Sequence, residues 1–190
     1  MEILKGEQFI QTVLISNVKS LIEKGFDYLA FVIISQGIET LGSFFDDKDF
    51  DFFEPGLPKK RFLKGLSLMD TKYQPVGEML WENLRCGLAH QLKPKKDVSL
   101  SSYQSKLTDQ QHLFKGDKTG TTYLVVDTLF KDFEVACNNV IEKLKDSTNS
   151  EIPANKKDTI HLTVSTIGFK TNPETGLMEE VIQSQPLTGR

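Results

Sequence analysis

Val76, Leu80, Leu84, Leu88 and Leu92 set an apolar residue at every fourth position, with Pro75 in front and Pro94 behind. That stripe predicts a helix over 75–92, with Pro75 suited to its first turn and Pro94 unable to continue it. Helical patterns recur along most of the chain. Phe9, Ile10, Val13, Leu14, Val18, Leu21 and Ile22 predict a helix over 7–24, which Gly25 stops. A second covers 27–45. It is apolar on every face from Tyr28 to Ile34, so it is expected to be the most buried helix. Gly37 and Gly42 would let a neighbouring helix approach it closely. A short helix over 59–69 precedes the Val76 stripe. A last one spans 128–145, with Leu129, Phe130, Phe133, Ala136, Val140, Ile141 and Leu144 turned inward.

Strands are expected only between and after the helices. Val98–Tyr103 is one candidate. Gln111–Phe114 and Thr121–Val126 flank a Gly-containing turn and predict a small hairpin. Residues 147–157 read as a polar linker. Beyond it, Ile160–Phe169, the turn Asn172–Gly176 and Met178–Ile182 predict a C-terminal hairpin. The domain plan is a helical domain over 1–146, a linker over 147–157 and a C-terminal β-hairpin segment over 158–190. The fold class is mainly α (α+β), a helical bundle with a small β-hairpin insertion and a C-terminal β-hairpin appendage.

Composition narrows the functional classes. The formal net charge of −3 means that nucleic-acid binding would need a local basic patch. Cys86 and Cys137 are far apart and belong to no CxxC or Cys/His cluster, which argues against a structural zinc site or a disulfide scaffold. No secretory leader is read at Met1–Lys5, and the apolar run at Tyr28–Ile34 is too short to span a bilayer. The expected compartment is the cytoplasm. No phosphate-loop, dinucleotide-binding, nucleophile-elbow or zinc-protease motif occurs, so no metal and no cofactor are expected.

The chemistry concentrates at Arg85 and His90. The chain has three arginines and three histidines, and these two lie five residues apart on one predicted helix. A guanidinium binds phosphate through paired hydrogen bonds and keeps its charge at every relevant pH. An imidazole can take a proton from a ribose 2′-hydroxyl or give one to a leaving oxygen. Metal-independent RNA cleavage needs little more, because RNA carries its own nucleophile. Five helical steps turn through about 500°, leaving the two side chains roughly 140° apart on a regular helix. They share a face only if the helix is distorted, and Gly87 between them makes distortion plausible. A two-fold dimer would bring further copies of the pair to one cleft.

Lys93, Lys95 and Lys96 follow the motif, and Lys59, Lys60 and Arg61 precede the third helix; both clusters are candidates for phosphate contacts. Glu39 is a candidate to orient Arg85 or His90 from the second helix. The plainer reading of each is a solvated loop or a surface acid. Phe50, Phe52 and Phe53, set among acids, read as packing residues, and His112 and His161 as strand surface residues.

The run Leu84-Arg85-Cys86-Gly87-Leu88-Ala89-His90-Gln91, an Arg-x4-His late in an apolar helix of a bundle, resembles the HEPN superfamily. The likeness covers about residues 5–145. It implies a helical bundle, often a homodimer, and in many members a metal-independent endoribonuclease of a bacterial defence or toxin system, acting on RNA and encoded beside a partner protein. By that resemblance Arg85 and His90 are the catalytic pair, with Glu39 supporting and Lys93, Lys95 and Lys96 on the RNA phosphates. Where members usually carry a polar residue after the arginine, this chain has Cys86. The alternative implied is a non-catalytic RNA-binding or protein-scaffold module.

Overall fold

The structure, a computed structural model, describes residues 2–102, 111–157, 159–162, 165–173 and 175–184. It is mainly helical. Strand β1 (Glu2–Lys5) leads into a long helical rod, α1, made of Gly6–Phe9, a π-helical stretch Ile10–Ser16 and Asn17–Glu23. Gly25, at φ +77°, ends it in a Schellman turn. The Phe26 N–H donates to the Leu21 carbonyl and the Gly25 N–H to that of Ile22.

Helix α2 (Asp27–Ser43) and α3 (Leu57–Ser67) pack backbone to backbone. A Cβ on Gly42 would sit 1.7 Å from the Arg61 carbonyl oxygen, and one on Gly65 would sit 1.8 Å from that of Ile38. The close approach expected of Gly42 is therefore real. Gly37 performs a similar service for the Phe133 ring, 2.6 Å from where a Cβ would be. The expectation that α2 is buried all round fails at its first turns: Tyr28 and Leu29 are exposed, while Ala30, Phe31 and Ile34 are buried. The uniform run of apolar residues hid an outward face.

A 3-10 turn (Thr71–Val76) opens the next rod, α4, which runs through Gly77–Leu80, a second π-helical stretch Trp81–Arg85, and Cys86–Gln91. Neither π stretch was expected, but each suits the stripe it carries. On a regular α-helix a strict four-residue repeat drifts about 40° per step. Ile10, Leu14 and Val18 in α1, and Leu80, Leu84 and Leu88 in α4, are all buried nonetheless. A wider turn absorbs the drift and keeps each stripe on the core. Leu92 breaks the pattern: it adopts a left-handed conformation at φ 51° and is exposed, ending the rod.

The chain then folds back across α4. The Lys95 N–H donates to the Asn83 carbonyl, and the Lys93 carbonyl lies so near Gly87 that a Cβ there would be 2.5 Å away. Strand β2 (Val98–Ser101) pairs in parallel with β3 (Thr122–Val125). The expected hairpin insertion is thus a parallel strand pair. The 111–114 arm forms no strand, with Leu113 at φ 63°, and the turn is closed by the antiparallel Lys115–Thr122 bridge and by backbone hydrogen bonds from Leu113 to Tyr123, Tyr123 to Phe114 and Gly116 to Thr121. Tyr103, at the end of the expected first strand, lies outside the described residues.

Helix α5 (Val126–Lys145) closes the bundle, its inward residues matching the predicted face. The core joins side chains from all five rods. After a short helix α6 (Ala154–Lys157), β4 (Thr159–Leu162) pairs antiparallel with β1. Strands β5 (Ser165–Thr171) and β6 (Met178–Ser184) form the C-terminal hairpin, in register from Ser165–Ser184 to Thr171–Met178.

A buried polar chain ties the 111–125 segment to the bundle. The Val125 N–H donates to His112 Nδ1, which leaves the proton on Nε2. Nε2 lies 2.8 Å from the Tyr73 hydroxyl, which donates to Asp132 at 2.8 Å, and Lys72 pairs with that carboxylate. His112 is therefore an interior residue and not a strand surface residue. The side chain of His161 lies outside the described residues.

Candidate functional site

Helix α2, the Asp46–Gly56 loop, the start of α3 and the second half of α4 enclose a cleft of about 520 Å³. Its lining includes Glu39, Phe52, Phe53, Lys59, Trp81, Arg85, Cys86 and His90. Two smaller clefts, near Tyr28 and near Gln11, contain neither guanidinium nor imidazole in their lining. Arg85 and His90 thus share one cavity. Arg85 closes the π-helical turn and sits low in the cleft, 15% exposed; His90 is exposed, next to the rod's last residue, Gln91. A π turn within an α-helix often marks a functional position.

Arg85 is held from two sides. Its guanidinium carbon lies 5.0 Å from the centre of the Trp81 ring, and its Nε lies 2.6 Å from Glu39 Oε2. Both of those last atoms are sealed from solvent, yet the approach is an ion contact without the alignment of a directed hydrogen bond. The terminal amino groups of Arg85 make no hydrogen bond among the described residues. They are the donors with which an arginine grips a phosphate. Burial pushes the Glu39 carboxyl above the usual carboxylate range, and the Arg85 charge pulls it only partly back. The expected partnership between Glu39 and the motif is therefore with Arg85. His90 makes no hydrogen bond among the described residues, so no neighbour orients its ring.

Lys93, Lys95 and Lys96 are exposed on the return loop and do not line the cleft. Among the basic residues in the first turns of α3, Lys59 and Arg61 line it, and Lys59 pairs with Glu78. Arg61 is 6% exposed, and each of its three nitrogens makes a hydrogen bond. Its Nε and Nη2 bind the two oxygens of Asp46 at 2.6 and 2.9 Å, Nη2 also donates to the carbonyls of Lys48 and Asp49, and Nη1 to that of Phe50. It is a bracket for the acidic loop.

Lys156 from α6 completes the bracket. Only 1% exposed, it lies 3.5 Å from Asp46 Oδ1 and 4.1 Å from the centre of the Phe50 ring. Phe50 in turn packs edge-on against Phe44. Of the three loop phenylalanines, only Phe50 is a packing residue as expected; Phe52 and Phe53 are exposed on the cleft wall. The sequence carried no sign of that division, nor of Lys156. Among the described residues no three His, Cys, Asp or Glu side chains are grouped to hold a metal ion. No described helix is long and apolar enough to cross a membrane.

Compared with known proteins, the chain matches no family model, and no curated protein or solved structure matches it.

Proposed function

We propose that the cleft is a metal-independent ribonuclease-like site of the HEPN kind, working in a homodimer on RNA. The observation that carries the reading is the convergence of Arg85 and His90 on one cavity, with the arginine's terminal donors unoccupied. Arg85 would bind the scissile phosphate and stabilise the charge that gathers on it in the transition state. His90 would accept the 2′-hydroxyl proton, or protonate the leaving 5′-oxygen, from the rim. Attack of the 2′-oxygen on phosphorus breaks the bond to the 5′-oxygen and leaves a cyclic phosphate, with no atom needed beyond the RNA and the transferred proton.

A second reading has its own support. His90 has no orienting partner among the described residues, and Cys86 stands where a polar neighbour is usual in the superfamily. Both suit a binding module that retains the pair for phosphate contact alone.

Incubating single-stranded RNA with wild type, Arg85→Ala and His90→Ala separates the two. The nuclease reading expects 2′,3′-cyclic ends from wild type, with each variant slower by at least about 100-fold. RNA that binds in an Arg85-dependent manner but stays intact would establish the binding module instead.

A further inference from the structure

The fold leaves Phe52 and Phe53 outside its core although the loop that bears them is firmly held. Phe53 is 73% exposed and Phe52 44%, and both stand on the wall of the Arg85 cleft. Exposing two large apolar side chains forgoes the burial that usually places phenylalanine inside. Slackness does not explain it. Arg61 grips the Asp46 carboxylate and three successive carbonyls, and Lys156 and Phe44 pin the intervening Phe50.

Charge limits what these rings can meet. Asp47, Asp49 and Asp51 are exposed along the same loop and would repel a phosphate chain laid across it. The cationic side of the cavity is Arg85, with its unbonded amino groups, and Lys59. The cleft therefore offers a flat apolar surface in one part and an anion-binding group in another, within a volume typical of a small-ligand site. One unpaired nucleotide has that division of character.

We propose that Phe52 and Phe53 form a stacking platform for one unpaired base of single-stranded RNA, inserted into the cleft beside a phosphate held by Arg85. The proposal rests on the reading of the cavity as an RNA site and gives that site its recognition element. Stacking accepts any base and discriminates against paired ones, so the target would be a single-stranded or looped region of little fixed sequence.

The test uses the full chain and 2′-O-methyl pentanucleotides, which bind without being cleaved, with and without a base at the central position. Trp81, the chain's one tryptophan, lines the cleft and reports binding by its fluorescence. Wild type is expected to prefer the base-bearing strand over the abasic one by roughly tenfold or more. The Phe52→Ala/Phe53→Ala protein should lose that preference, and Phe53→Trp alone should retain it. Because both rings are exposed, the double variant should melt where wild type does. Equal binding of the two strands by wild type, no binding of either, or an undiminished preference in the double variant would each overturn the platform. Cleavage of ordinary RNA by the same proteins is read separately. His90-dependent cleavage without base preference removes the platform and leaves the nuclease reading standing; base preference without cleavage does the reverse.

Discussion

Nε of Arg85 and Oε2 of Glu39 lie 2.6 Å apart at the floor of the cleft, both shut off from water, and neither atom makes a directed hydrogen bond. The contact does two opposed things. It fixes the guanidinium between the carboxylate and the Trp81 ring, and it sets a negative charge beside the group that would bind a phosphate.

The opposition can be measured. Glu39→Gln keeps the shape and removes the charge, so oligonucleotide affinity should rise by about 2- to 10-fold. Wild type should show the same gain on acidification. Burial raises the Glu39 carboxyl above its ordinary 4.5, so Glu39 takes up its proton at a higher pH than an exposed glutamate does. Binding therefore strengthens as pH falls through that raised value. Titration calorimetry of both proteins across that range isolates the effect, since the two differ only at residue 39. Weaker binding by Glu39→Gln would mean that the carboxylate serves chiefly to position Arg85.

Much of this site was legible in the sequence, and its limits were physical. Arg85, His90 and Glu39 could be named because scarce or charged residues fell at helical spacing on strongly periodic segments. Their convergence could not be derived, since a regular helix separates Arg85 from His90. The expected distortion at Gly87 is absent: the wider turn lies before Arg85, at Trp81–Arg85, and Cys86–Gln91 is regular helix, so both side chains reach the one cleft without it. Phe50 and Phe53 look alike in sequence, and only the long-range contacts of Arg61 and Lys156 leave one half-buried against the core and the other exposed. The parallel partner of β3 was likewise a choice between two nearby strand candidates, decided by tertiary packing that local turn signals do not record.

The Asp46–Arg61–Lys156 bracket predicts an asymmetry between its two cations. Arg61→Met strips donors from the Asp46 carboxylate and from three carbonyls, and should cost about 3–5 kcal/mol in urea unfolding. Lys156→Met keeps the volume and removes a buried ammonium whose proton affinity burial already lowers. That variant should lie within about 1 kcal/mol of wild type, or above it. The acid limb follows from Asp46. Burial alone would raise its carboxyl, but the Arg61 hydrogen bond, the Lys156 charge and the Lys48 N–H together bring it below 3.8. Its stabilising share is thus present above 3.8 and lost as pH falls through the lower folded value. Asp46→Asn should flatten that limb.

Gly65 allows a prediction in which helix propensity and packing have opposite signs. On an isolated helix Gly→Ala would stabilise by about 1 kcal/mol. Here a Cβ would sit 1.8 Å from the Ile38 carbonyl oxygen of α2, nearer than any real contact permits. Gly65→Ala should therefore destabilise by at least about 3 kcal/mol, through forced separation of α2 and α3. Because that seam carries Glu39 on one helix and Arg61 on the other, Trp81 fluorescence should also shift in whatever fraction remains folded. An unchanged melting temperature would show that the two helices can part at no cost.

Tyr73 sets the behaviour at the alkaline end. Its hydroxyl joins His112 to Asp132, and burial, then the Asp132 charge, push its ionisation well above the ordinary 10. The folded protein therefore keeps this proton at a pH where the unfolded chain has lost it. The sign follows: above pH 10 the folded state binds more protons, and stability falls as pH rises, by about 1.4 kcal/mol per pH unit from this group alone. Cys137, also buried and raised, adds to the same slope at high pH. Tyr73→Phe removes only the tyrosine's share, so its stability should decline less steeply between pH 10 and 11 than that of wild type. At neutral pH the same variant removes the hydroxyl that links His112 to Asp132 and should cost about 1–3 kcal/mol. Urea unfolding at pH 7, 10 and 11 measures both, and parallel alkaline slopes in the two proteins would place the proton of this chain elsewhere than on Tyr73.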